Sequence, residues 1–91
     1  MTTDQIIDAT AAKSLHADAC REQPLVAWVI SYDPPEHSER FVARLVTNRA
    51  WPYVVLGDTL AKVQEQLPPG LERSDRQPAD PPHVVEVWFY P

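Results

Sequence analysis

Ten prolines in 91 residues (Pro24, Pro34-Pro35, Pro52, Pro68-Pro69, Pro78, Pro81-Pro82 and Pro91) divide this chain before any other feature is considered. Proline lacks a backbone N–H and fixes φ, so it stops helices and is kept out of interior sheet ladders. Each regular element must fit between two breaks, and the longest interval is residues 1–23. A chain cut this finely builds short elements packed in layers, and its length suits one domain over residues 1–91.

In the first interval, Ile7, Ala11, Leu15 and Ala19 recur at i, i+4 spacing, broadened by Ile6 and Ala12, which predicts a helix over residues 2–23. Thr3 is the expected cap, with Asp4 in the first turn, where the helix dipole favours an anion. The stripe is thin and alanine-rich, so this N-terminal helix is expected to pack loosely or on a partner. Leu25–Asp33 reads as a strand with Val26, Trp28, Ile30 and Tyr32 on one face, and apolar residues on both faces give it a central place. Pro34-Pro35-Glu36-His37-Ser38 is a loop, and Glu39–Asn48 a second strand pairing back as a hairpin. A turn through Trp51-Pro52 leads to a third strand, Tyr53–Leu56. Asp58 or Thr59 then caps a second helix carrying Leu60, Val63 and Leu67, which Pro68-Pro69-Gly70 ends, with Pro69-Gly70 suited to a type II turn. Residues 72–82 lack apolar periodicity and read as a proline-rich surface connection. Val84–Tyr90 is the last strand, with Val85, Val87 and Phe89 expected to face inward.

The order α-β-β-β-α-β predicts an α+β two-layer sandwich, a mainly antiparallel four-stranded sheet with helices packed on it. A right-handed crossover would bring the fourth strand beside the first and parallel to it, giving the order 3-2-1-4. Phe41-Val42-Ala43-Arg44-Leu45-Val46, a turn, then Tyr53-Val54-Val55-Leu56-Gly57-Asp58-Thr59-Leu60 resembles the HicB-type antitoxin domain over roughly residues 25–67. The resemblance implies a partial ribonuclease-H-like β-β-β-α-β sheet and a regulatory protein that binds a basic toxin or nuclease partner. No DNA-binding helix-turn-helix or ribbon-helix-helix follows the sheet, and Trp51-Pro52 stands where the family's turn carries a glycine.

Composition narrows the chemistry. A net charge of −5 opposes a phosphate-backbone binder, so nucleic acid is not an expected partner. The longest apolar run, Leu25–Ile30, is far short of the roughly 18 residues that cross a membrane, and the N-terminal segment lacks a signal-peptide core, so a cytoplasmic, non-membrane protein is expected. Six Arg against two Lys, with many Pro and Ala, suggest a bacterial source. Gly57 and Gly70 are thirteen apart, too few and too sparse for a phosphate-cradling loop, so no cofactor is expected. His16 and Cys20, four apart, share a helical face and could form a thiolate–imidazole or two-ligand pair, but no third ligand is placed beside them. Asp33, Glu36, His37 and Glu39 cluster in the first hairpin loop and read as a solvated acidic tip. Ser38 beside His37 has no oxyanion glycine. The reading is accordingly non-enzymatic, with no catalytic, cofactor-binding or metal residue assigned.

What remains is aromatic. Trp28, Tyr32, Trp88 and Tyr90, with Arg44 and Glu86 among them and Trp51 in a turn nearby, are the candidate interface, because Trp and Tyr are favoured anchors of protein contacts. The sequence therefore suggests a non-catalytic protein-interaction module that forms a homodimer. The antitoxin-like partner of a basic protein is the alternative, and a small-ligand or metal binder a further one.

Overall fold

The structure, a computed structural model, describes residues 4–75 and 82–90. Its elements are β1 (Gln5–Ile6), α1 (Ala9–Glu22), β2 (Val26–Tyr32), β3 (Phe41–Val46), β4 (Ala50–Gly57), α2 (Leu60–Gln66), β5 (Glu72–Asp75) and β6 (Val84–Tyr90). The α+β class matches expectation, but the sheet is mixed and six-stranded, in the order β1-β4-β3-β2-β6-β5. The four expected strands stand side by side within it as β4-β3-β2-β6, and two short strands extend its edges.

The N-terminal segment departs from the expected helix. The Asp8 carboxylate accepts the Ala11 N–H at 2.8 Å and caps α1 there, while Gln5 and Ile6 pair in parallel with Tyr53 and Val54. Thr3 lies outside the described residues. At the other end the Gln23 N–H closes on the Ala19 carbonyl at 2.8 Å, just ahead of Pro24. The buried positions of α1 are Ala12 and His16, so the centre of its stripe lies one residue from the expected line.

The C-terminal half holds the main correction. The expected surface connection contains β5, which pairs antiparallel with β6; the rest of that connection, residues 76–81, lies outside the described residues. Because β5 reverses the chain before β6 begins, β6 runs antiparallel to β2, with Trp28 opposite Trp88 and Ile30 opposite Glu86. Residues opposite each other share a face, so Glu86 and Trp88 lie with Trp28, and Val87 lies with Val29 on the other side. Of the expected inward set, Val87 and Phe89 are thus on the face away from the helices, while Val85, beside the register shift at Ile30/Ser31, packs against the core.

Both helices pack on one face. Ala12 of α1 and Val63 of α2 share a core with Val26, Trp28, Ile30, Ala43, Leu45 and Val55. Thr59 caps α2 by accepting the Lys62 N–H at 3.2 Å, and Gly70 has the φ of +86° that the third residue of a type II turn needs. Trp51 and Pro52, expected in a turn, belong to β4. Pro52 is tolerated because it falls where the β3–β4 register slips and before β1 pairs, so no ladder bond is lost. Residues 33–40 fold over the opposite face, where Pro34 is buried; Asp33 and Glu39, at φ 52° and 59°, mark its ends, joined by the Glu39 N–H on the Asp33 carboxylate at 2.8 Å.

Candidate functional site

The sheet has two chemically different faces, and the expected interface residues divide between them. Under α1, Trp28 is fully buried and donates its indole N–H to His16 Nδ1 at 3.2 Å. An Nδ1 that accepts leaves the ring proton on Nε2, which faces Cys20 Sγ at 3.4 Å. Burial lowers the His16 pKa and raises that of Cys20. Both groups are therefore held neutral, the reverse of the charged thiolate–imidazolium pair that nucleophilic chemistry needs. The Tyr90 ring meets His16 edge-on, with centroids 5.7 Å apart.

Farther along this face, Glu86 is a buried carboxylate in the middle of the sheet. Gln64 and Trp88 donate to its Oε1 at 2.5 and 2.8 Å, and Arg73 to its Oε2 at 3.3 Å. Desolvation pushes its pKa up, but these hydrogen bonds and the Arg73 charge outweigh it and hold the group below its ordinary value. Such a charge is structural: it ties α2, β5 and β6 together. Trp51 occupies the far end of the face, stacked on Tyr53, with its N–H on Thr47 Oγ1 at 2.9 Å and the Arg49 guanidinium 3.8 Å above its ring. Tyr32, against Phe41, and Tyr90 keep 43% and 46% of their surfaces. Trp28 and Glu86 have no surface left to offer a partner while α1 and α2 are docked.

Arg44 stands apart, on the face the helices leave open. Its guanidinium makes two bonds to the Asp4 carboxylate at 2.8 and 2.9 Å and a third to the Trp51 carbonyl at 2.9 Å. The other Asp4 contact is His37 Nε2 at 2.9 Å. The Arg44 bond is the main cause that lowers the Asp4 pKa, against the opposing effect of burial. Of the expected loop cluster, only His37 is drawn inward; Asp33 closes its own loop, and Glu36 lies on the rim of a groove of about 310 Å³. That groove has Val29, Val42, Val46 and Val84 as its floor and Pro34-Pro35 as its lip.

Among the described residues, no group of three or more His, Cys, Asp or Glu side chains is placed to hold a metal ion, and no helix is long and apolar enough to cross a membrane. Sequence reasoning missed Asp4 and Gln64 as partners of Arg44 and Glu86, since contacts between residues 40 and 22 apart leave no local pattern. Compared with known families, curated proteins and solved structures, the chain finds no match.

Proposed function

We propose that the protein is a non-catalytic interaction module that pairs with a second copy of itself through the sheet face opposite the helices. The observation that carries this is the one-sided helix layer. Val29, Val46, Val87 and Phe89 are left half-buried on the other face, and Arg44, the cation among them, is already neutralised by Asp4. Four full strands with about 4.8 Å spacing and about 23 Å length give on the order of 450 Å², and the short edge strands add to this. The strands thus give a little over half of the ~800 Å² each partner contributes to a standard interface, and the outer surface of the 33–40 loop, which folds over the same face, would supply part of the rest. The sheet edges are poorer sites: β1 has two residues, and β5 reads Glu-Arg-Ser-Asp, a charged edge of the kind that discourages strand addition.

Light scattering on the eluting protein tests this. The expected mass is twice 10.3 kDa, falling to one copy in Val46→Lys, whose melting temperature should match that of the parent only at dilutions where the parent is also monomeric. A monomeric parent at ~100 μM, well above the Kd of a standard interface, would end the reading. The alternative, an antitoxin-like regulator of a basic protein, draws support from the net charge of −5 and from the HicB-like segment. Native mass spectrometry of protein drawn from its own host separates the two, since a heteromeric mass favours the regulator.

A further inference from the structure

We propose that His16 is an acid-sensitive latch: protonating its imidazole releases α1 from the sheet and uncovers the aromatic face around Trp28. Among the described residues, the Trp28–His16 bond is the one hydrogen bond from an α1 side chain to the sheet. The rest of the α1 contact is light, since its fully buried apolar residue is an alanine, with Leu15, Ala19 and Cys20 partly buried beside it. The geometry allows the neutral ring only. An added proton on Nδ1 would face the Trp28 N–H, donor against donor, at a position 7% exposed.

Among the described residues, no group around the ring compensates the charge. The Cys20 thiol faces it from α1, the Trp28 indole from β2, and the Tyr90 ring from β6. The buried carboxylate of the same face, Glu86, is taken up by Gln64, Trp88 and Arg73. Lys13 and Asp18 of α1, and Lys62 and Glu65 of α2, are exposed. Burial lowers the His16 pKa, so the docked helix excludes a proton that the released helix takes up near 6.5. The docked state is therefore fully favoured above that pH and loses ground as pH falls below it.

Amide exchange and imidazole ¹⁵N shifts, followed by NMR from about pH 8 to about pH 4.5, test the latch. Protection of the α1 amides, corrected for intrinsic exchange, is expected to fall at least ~10-fold relative to β3, as the Trp28 indole N–H leaves its native position. His16→Asn keeps an acceptor close to the place of Nδ1 and does not titrate, so its α1 protection is expected to stay level. The proposal is overturned if His16→Asn shows the same acid transition, or if β3 and β4 lose protection together with α1. Should that variant not fold, the parent decides alone. Imidazole protonation in step with α1 release supports the latch, and a protonated His16 under a docked α1 sinks it.

Discussion

At Gly57 the two layers come so close that a Cβ would stand 2.7 Å from Val63 Cγ2 and 3.1 Å from the Val63 backbone nitrogen. The backbone cannot yield there without lifting α2, so Gly57→Ala is expected to cost about 1–3 kcal/mol, as overpacked core positions do. Urea unfolding should show a lower midpoint with an unchanged slope. Arg44 matters for the opposite reason. Arg44→Met removes the cation from a carboxylate whose side chain is 6% exposed, leaving Asp4 desolvated with His37 alone beside it. A loss of about 2–4 kcal/mol is expected, less than for a fully buried pair because Arg44 keeps some solvent. The pH dependence has a definite sign. The Asp4 pKa is lowered from 3.8, so its contribution is complete above that value and is lost as pH falls below it and through the lowered native pKa. Asp4→Asn should therefore be less stable than the parent at pH 6, and the difference should shrink toward pH 3 in paired denaturation curves.

The one fully buried apolar residue of α1 is an alanine, so the ends of this helix carry unusual weight. Losing the Asp8 cap in Asp8→Ala should cost about 1 kcal/mol, read as a lower melting temperature with the helical signal fading ahead of the sheet. Elements with strong local signals could be read from the sequence. The second helix had a cap signal at Asp58 or Thr59 and a stop at Pro68, and β2 and β3 are short runs rich in apolar and β-branched residues bounded by turn signals. β5 could not be read, because Glu-Arg-Ser-Asp has no apolar alternation and becomes a strand only by pairing with β6. The same hidden strand caused the error in β6. With Val84, Val85, Val87, Trp88 and Phe89 on both sides of the strand, only the register against Trp28 decides which set meets the helices. The candidate site was legible as a set of aromatic residues but not as a surface. Trp28 is buried in the core by α1, and the partner of Arg44 lies 40 residues away.

For the whole molecule, acidity and self-association oppose each other. Two copies each carrying −5 repel at long range, while the proposed contact face is apolar with an internal ion pair at its centre. Dimerisation should therefore tighten as salt rises from about 0.01 M to about 0.15 M, where the screening length drops from ~30 to ~8 Å; sedimentation at both salts reads it out. Interior strand β6 also follows every other described element in the sequence, although it pairs with β2 inside the sheet. A ribosome adding about 5–20 residues per second makes Tyr90 roughly 3–12 s after Trp28. Throughout that interval the growing polypeptide holds its largest core side chain without the neighbouring strand that shelters it. During synthesis, therefore, Trp28 and Ile30 lack the β6 side of their packing, and that edge of β2 is open to chaperones and to other nascent chains.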